Sequence, residues 1–235
     1  MAKGTDWDAY FKELKEKFVK NPYFEYKGKE LNRLIQKWAS EKLNGEVLKT
    51  DLFEEAVETN DEIIFGLMKE NKGELWGMDI SKVIVAKAKR NALEKKIKIE
   101  ASVQDARKTT FESNKFDLVI SNSTLDHFPE LDKALLDHYR ILKKGGTLIL
   151  TIHNKNNPLV WIVFFFMRMF YRKEYFTDIA YSYGYLKRKL KKIGFKIIDS
   201  DGANCSAPVI PSLTNIAYKR KNDFFMWFFK KWYRL

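Results

Sequence analysis

ELWGMDIS (Glu74–Ser81) is a largely apolar stretch that closes with an acid, and four further stretches of this chain close with acids or amides. They are VLKTD (47–51), IEASVQDA (99–106), FDLVISNSTLDHF (116–128) and GGTLILTIHN (145–154). Segments with helical spacing, notably 81–93, separate most of these stretches. Strands that alternate with helices predict a doubly wound α/β fold, with a mostly parallel sheet and helices on both faces.

The polar residues that close these stretches predict a ligand site, because ligands of such sheets bind outside the carboxyl ends of the strands. Asp79 closes the second stretch, where its carboxylate can accept hydrogen bonds from both hydroxyls of a ribose. The alternative is that Asp79 only caps the following helix, together with Ser81. Asp105 closes the third stretch, where its side chain or a backbone amide could contact the edge of an adenine.

Composition limits the compartment and the partners. The 235 residues carry a formal charge of +12, which favours contact with phosphates, nucleic acid or anionic lipid. The single cysteine, Cys205, excludes an internal disulfide framework and fits a reducing compartment. The first residues are highly charged and have no apolar signal segment, and the longest apolar run (159–167) is shorter than the ~20 residues of a spanning helix. We therefore expect a cytoplasmic protein that does not cross a membrane.

The motifs GMDIS, VQDAR, FDLVISNSTLDHF and LKKGGTLILT follow one another in an order that resembles class I S-adenosylmethionine-dependent methyltransferases. The resemblance is to the small-molecule "type 11" branch and covers residues 45–158. It implies a Rossmann-like core, S-adenosylmethionine as the cofactor and S-adenosylhomocysteine as the product. The implied cofactor-binding residues are Thr50, Asp51, Asp79, Ile80, Gln104, Asp105, Ala106, Asn122 and Ser123. Among them Asp79 would bind the ribose, Asp105 and Ala106 the adenine, and Asn122 and Ser123 would lie beneath the methionine moiety.

The first loop departs from the family pattern, which usually reads E/D-x-G-x-G-x-G. The corresponding run here is KTDLFEE (49–55), which contains no glycine. A dinucleotide needs glycines there because its pyrophosphate approaches the backbone, so their absence argues strongly against an NAD or FAD dehydrogenase. S-adenosylmethionine carries a sulfonium and an ammonium instead, and Asp51, with Glu54 or Glu55, could neutralise these charges. The alternative for the two glutamates is that they only stabilise the N-terminus of a helix.

Asp126 and His127 are the candidate catalytic residues. A neutral histidine near the sulfonium can take a proton from a hydroxyl or amine as the methyl group moves, so we expect an O- or N-directed enzyme. A purely structural histidine is the alternative. His153 is a second candidate base, and His138, within a helical stretch, is expected at the surface. No metal site is expected, since the histidines and Cys205 lack the spacing of metal ligands.

Three functions remain open from the sequence. The turn at Asn122-Ser123 lacks the Asn/Asp-Pro-Pro-aromatic pattern of enzymes that methylate exocyclic amines of bases. Cys205 lies well beyond the sheet motifs, which argues against cytosine-C5 chemistry. The favoured function is therefore methylation of a small-molecule, lipid or glycan-precursor acceptor. The alternatives are an RNA or protein methyltransferase, for which the basic charge argues, and an inactive scaffold at a membrane or partner.

The predicted organisation has three parts: a helical cap (1–44), a core (45–200) and an aromatic, basic extension (201–235). Within the core, 155–185 lies where relatives carry a lid or substrate-binding insertion, 183–193 is a predicted helix, and FKIID (195–199) is a predicted sixth strand. Residues 222–235 combine aromatic rings with lysines and an arginine, which suits a helix on an anionic membrane surface. The alternative is that the tail packs on the body of the protein or forms a dimer contact.

Overall fold

The computed structural model describes residues 6–9, 11–12, 22–57, 63–156, 165 and 179–201. The described strands form one parallel sheet: β1 (Glu46–Lys49), β2 (Glu74–Asp79), β3 (Glu100–Val103), β4 (Phe116–Asn122) and β5 (Leu142–Thr151). Their spatial order is β3-β2-β1-β4-β5, which confirms the predicted doubly wound α/β fold. The order reverses between β1 and β4, so the ligand crevice of such a sheet is expected at the carboxyl ends of these two strands.

Helices cover both faces of the sheet. They are α1 (Pro22–Ala39), α2 (Phe53–Ala56), α3 (Ile63–Met68), α4 (Lys82–Glu94), α5 (Leu131–Ile141) and α6 (Tyr183–Ile193). Short 3-10 helices span Ser40–Asn44 and Leu125–His127, and residues 7–9 and 11–12 are also helical. The predicted helix over 183–193 is thus confirmed to the residue.

Strand β4 shows why the sheet is central. Leu118, Val119 and Ile120 have no exposed surface, although successive side chains point to opposite faces. Leu118 and Ile120 pack in the cluster that includes α1 residues, whereas Val119 packs in the cluster that includes α5 residues. Continuous apolar strands of this kind are typical of parallel sheets that are covered on both sides. Each fully buried aliphatic side chain contributes ~1.5–3 kcal/mol, so this strand anchors the core.

Side chains and a glycine set the ends of two helices near the site. Ser81 precedes α4, and its Oγ accepts a hydrogen bond from the main-chain N–H of Ile84 at 3.1 Å. Gly194 ends α6 with a φ of +120°, a conformation that favours glycine. A Cβ at Gly194 would also lie 2.7 Å from the hydroxyl of Tyr139, so this stop requires glycine twice over.

The prediction of a sixth strand at 195–199 is wrong. This segment has no strand hydrogen bonding, and Ile198 is 77% exposed. The carboxylate of Asp199 instead accepts hydrogen bonds from Lys37 Nζ at 2.9 Å and Trp38 Nε1 at 2.8 Å. These contacts bind the segment to the end of α1.

The prediction that His138 lies at the surface is also wrong. His138 has no exposed surface, because it lies on the same face of α5 as the buried residues Leu131, Ala134, Leu135 and Ile141. Burial lowers the pKa of His138 to about 4, since a charged imidazolium is disfavoured away from water. The side chain is therefore neutral near neutral pH.

Two aromatic segments of the sequence lie outside the described residues. They are 159–175, apart from Phe165, and the tail 222–235, so the lid and membrane predictions remain predictions. Among the helices that the structure describes, none combines the length and the apolarity that a bilayer crossing requires.

Candidate active site

The loop after β1 is built around a buried ammonium group. Lys49 Nζ lies 2.8 Å from Glu55 Oε2, 2.9 Å from Glu54 Oε2 and 3.1 Å from Asp51 Oδ1. It also donates to the main-chain oxygen of Asp51 at 2.7 Å. The side chains of Lys49 and Glu55 have no exposed surface, whereas Asp51 and Glu54 are 15% and 23% exposed. We call these four residues the Lys49 cluster.

Charge attraction and burial oppose each other within the Lys49 cluster. Burial acts to lower the pKa of Lys49, but the attraction of the three carboxylates raises it well above its usual value. Burial raises the pKa of Asp51 and of Glu55, although Lys49 acts in the opposite direction. The lysine therefore stays charged, and the carboxylates outnumber it by three to one.

The carboxylate of Asp79 lies at the end of β2 and ties this strand to the first loop. Its Oδ2 accepts a hydrogen bond from the main-chain N–H of Leu52 at 3.1 Å, and its Oδ1 accepts one from Ser81 at 2.9 Å. Burial raises the pKa of Asp79, and the two backbone hydrogen bonds counteract this rise. Each oxygen can still accept a second hydrogen bond, and the neighbouring Ile80 is 42% exposed.

Gln104, Asp105 and Ala106 follow β3, as the sequence predicted. Arg107 donates to both carboxylate oxygens of Asp105, with Nη2 at 2.6 Å and Nε at 2.9 Å and 3.0 Å. Hydrogen bonds from Arg107 lower the pKa of Asp105, so its carboxylate stays ionised. The side-chain oxygen of Gln104 accepts from the main-chain N–H of Thr110 at 2.7 Å. Both side chains are thus oriented by contacts within the loop.

Asn122 and Ser123 end β4 and connect it to the first loop and to β5. Asn122 Nδ2 donates to Glu54 Oε1 at 2.7 Å, and Asn122 Oδ1 accepts from the hydroxyl of Thr151 at 2.7 Å. Ser123 has a φ of +51° and donates its N–H to the main-chain oxygen of Thr151. Thr50, only 2% exposed, donates its N–H to Ile120 of β4 at 3.0 Å. The residues predicted after β1, β2 and β4 are therefore brought together at one edge of the sheet.

The two candidate catalytic residues do not act as a pair. The fully buried carboxylate of Asp126 makes a short contact through Oδ2 with Nδ1 of His153, which follows β5. The ring of His127 lies instead against Trp7, with the ring centroids 4.9 Å apart. Asp126 and His153 are 27 positions apart, and the sequence offered no signal for this pairing beyond the presence of both residues after adjacent strands.

Residues 7–9 and 11 cover part of this edge. Asp8 Oδ1 accepts hydrogen bonds from the hydroxyl of Ser81 and from the main-chain N–H of Val83 at the start of α4. Phe11, 3% exposed, packs edge-on against Phe53 of α2 with centroids 5.6 Å apart. Together with Trp7 on His127, these contacts extend from the loop after β2 to the loop after β4. The sequence predicted a helical cap here but not its position over the site.

The donor set of this edge suits a ligand with positive charge and hydroxyl groups. Asp51, Glu54 and Asp79 provide carboxylate oxygens. An ionised carboxylate accepts hydrogen bonds and donates none. Among the described residues, no cluster of three or more histidine, cysteine, aspartate or glutamate side chains is arranged to hold a metal ion. The geometry thus favours an organic cation over a phosphate-bearing ligand.

Comparison with known proteins finds a matching family model and several similar proteins. A family model described as "Methyltransferase domain" matches residues 59–150. Phosphoethanolamine N-methyltransferase 2 of Caenorhabditis elegans is 35% identical over 80 residues, which are 34% of this chain and 18% of that protein. A ubiquinone/menaquinone biosynthesis C-methyltransferase of Paraburkholderia xenovorans is 31% identical over 122 residues, 51% of this chain and 50% of that protein. The chain thus spans about half, or less, of the length of these curated relatives.

A solved structure shares the fold. Phosphoethanolamine N-methyltransferase 2 of Haemonchus contortus, in complex with phosphomonomethylethanolamine and S-adenosylhomocysteine, matches with a TM-score of 0.57. The match covers 70% of this chain and 37% of that chain, at 21% sequence identity. At this identity the likeness shows the fold alone.

Proposed function

We propose that this chain carries a class I S-adenosylmethionine-dependent methyltransferase domain, which binds S-adenosylmethionine and transfers its methyl group to a small-molecule acceptor. The single observation that carries this proposal is the surplus of carboxylate oxygens at the carboxyl ends of β1 and β2. They come from Asp51, Glu54 and Asp79, beside the point where the strand order reverses. The names of both relatives specify methyl transfer, to nitrogen in one and to carbon in the other.

The proposed cofactor has groups that complement these oxygens. When bound, S-adenosylmethionine supplies a methyl group that is activated by a sulfonium. Asp79 can accept hydrogen bonds from the ribose hydroxyls through the positions that Leu52 and Ser81 leave available. Thr50 and Asp51 are proposed to contact the methionine portion, above Asn122 and Ser123. The loop with Gln104, Asp105 and Ala106, next to Ile80, is proposed to meet the adenine.

Proton transfer is proposed to involve Asp126 and His153. In-line methyl transfer to an amine or hydroxyl releases a proton, which a neutral imidazole can accept. Asp126 orients His153 through Nδ1, so Nε2 is the ring nitrogen that would take this proton. This assignment changes the role of Asp126 from acid–base catalysis to positioning of His153, and it moves the role of base from His127 to His153.

The acceptor is proposed to be a small polar or lipid-like molecule with an ionisable N–H or O–H group. The name of one relative specifies phosphoethanolamine, and that of another specifies ubiquinone/menaquinone biosynthesis, and both names indicate small-molecule acceptors. A domain that binds the cofactor without turnover is a second candidate. It is favoured by the filled first loop, where the buried side chain of Glu55 lies in place of a glycine.

Transfer of radiolabelled methyl groups tests the proposal. Purified protein is incubated with labelled S-adenosylmethionine and, in separate reactions, with phosphoethanolamine, a phospholipid extract, bulk tRNA and a protein extract. Label in the small-molecule or lipid fraction is expected. Label only in tRNA or protein would contradict the proposed acceptor class, and cofactor binding without transfer in any reaction would support the domain without turnover.

A further inference from the structure

We propose that Lys49 is a built-in counter-ion that holds Asp51 and Glu54 in position to bind the positively charged amino group of an amino-acid-bearing ligand. This inference rests on the proposed function. It gives Lys49, the last residue of β1, a role in ligand binding. It also explains how the first loop can bind a cofactor without glycines.

Lys49 is enclosed at the end of β1. Lys49 is the last residue of β1, and its side chain has no exposed surface. Its ammonium group has three N–H donors, and four oxygen atoms of Asp51, Glu54 and Glu55 lie within 3.1 Å of Nζ. An ammonium that is enclosed in this way cannot leave the loop without exposing buried carboxylates to one another. Lys49 is therefore a fixed part of the site.

The outer carboxylates are held from their other side as well. Asp51 Oδ2 accepts from the hydroxyl of Thr124 at 3.1 Å, and Glu54 Oε1 accepts from Asn122 Nδ2 at 2.7 Å. Both donors belong to the segment that begins at the end of β4. Asp51 and Glu54 thus have a defined orientation between Lys49 and this segment, and they keep some exposed surface.

Acidic side chains outnumber the single cation of the Lys49 cluster. One ammonium faces three carboxylates, and Asp79 of β2 adds another acid close to Lys49 and Glu54. The fully buried Glu55 is matched by Lys49, whereas burial and the neighbouring carboxyl group of Glu54 raise the pKa of the partly exposed Asp51. A second cation at this outer side would complete the balance. In a glycine loop a ligand approaches main-chain N–H groups, whereas this loop presents carboxylates that select a cation.

The test compares Lys49→Met with the double variant Lys49→Met/Glu55→Gln. Lys49→Met leaves Glu55 buried without a partner, so this variant should be less stable. The double variant removes both buried charges and should regain stability, but Asp51 and Glu54 still lack the group that holds them. Its affinity for S-adenosylmethionine should fall at least tenfold, with a much smaller loss for uncharged 5′-methylthioadenosine. Simple removal of a positive charge predicts the opposite, a tighter complex with the cation.

Lys143→Met is the matched control, because Lys143 Nζ pairs with Asp117 at 2.6 Å. This pair lies at the amino ends of the strands, away from the Lys49 cluster. It should bind both ligands as the wild type does. A double variant that binds S-adenosylmethionine within threefold of the wild type, or that loses affinity equally for both ligands, would overturn the inference. If the wild type itself binds no S-adenosylmethionine, the proposed function fails first. Should Lys49→Met not fold, the double variant still makes the comparison.

Discussion

The main-chain N–H of Leu52 donates a hydrogen bond to Oδ2 of Asp79 at 3.1 Å, which joins the loop after β1 to the end of β2. A Cβ at Gly77 would lie 2.8 Å from the side chain of Leu52, so a glycine in β2 makes room for this loop. Asp79 and the Lys49 cluster thus hold a loop without glycines through side-chain contacts.

Asp51→Asn should weaken binding of S-adenosylmethionine more than binding of 5′-methylthioadenosine. The substitution keeps the shape of the side chain and removes the charge that faces the proposed cation. Because hydrogen bonds to charged groups are worth ~1.5–3 kcal/mol, the loss for the charged ligand should be roughly tenfold or more. Calorimetric titration of both ligands checks this result, and equal losses would show that the charge of Asp51 is not used.

His153→Gln should lower the rate of methyl transfer by ~10²-fold or more while cofactor affinity stays unchanged, since general bases contribute on this scale. His127→Gln is the matched control, because the ring of His127 packs against Trp7, whereas the ring of His153 contacts Asp126. Long-range ¹H–¹⁵N spectra of the imidazole rings give an independent measure. Neutral His153 should carry its proton on Nδ1, toward Asp126. A proton on Nε2, or an equal loss of rate in His127→Gln, would refute the assignment.

His138 should make the protein sensitive to acid. Its folded pKa is lowered to about 4 from the usual 6.5, so its contribution to stability is present above pH 6.5 and is lost as pH falls toward 4. The free energy of unfolding should therefore lose ~2 kcal/mol by about pH 5 from this residue. Urea unfolding of the wild type and of His138→Leu, measured above pH 6.5 and at about pH 5, isolates the effect. The same pH dependence in both proteins would contradict it.

Removal of residues 222–235 should abolish cosedimentation with anionic vesicles and leave cofactor binding intact. The tail carries Phe224, Phe225, Trp227, Phe228, Phe229 and Trp232. Burial of each ring contributes ~1.5–3 kcal/mol, and each nearby lysine or arginine adds roughly 1 kcal/mol at an anionic surface. A shortened protein that unfolds or loses cofactor affinity would show that the tail is part of the core.

The sequence predicted those parts of the fold that depend on local patterns. Strand β2 ends at Asp79 and helix α6 ends before Gly194, where an acid and a glycine signal an end. Residues 195–199 alternate like a strand, but the sequence cannot show that Asp199 is bound by Lys37 and Trp38 from α1. His138 was misplaced because its polarity was weighed above its position on the buried face of α5.

The residues predicted after β1, β2 and β4 lie at the carboxyl ends of these strands, but their side-chain partners were not predictable. Asp126 meets His153 through a contact between separate loops, and such contacts depend on the order of strands β4 and β5 in space. The sequence does not predict the burial of Lys49, because most lysines are solvent-exposed. The signal that could have found the Lys49 cluster is three acids within six residues of a lysine that ends an apolar strand.

Calorimetric titration of S-adenosylmethionine into the wild type and into Asp79→Ala tests the central claim most directly. The wild type should bind one cofactor per chain, and the variant should bind ~1.5–3 kcal/mol more weakly because the ribose hydroxyls lose a charged acceptor. Asp117→Ala, which removes a carboxylate that accepts from Glu46 and Lys143 at the opposite edge of the sheet, should bind as the wild type does. No saturable binding by the wild type, or unchanged affinity in a folded Asp79→Ala protein, would contradict the account.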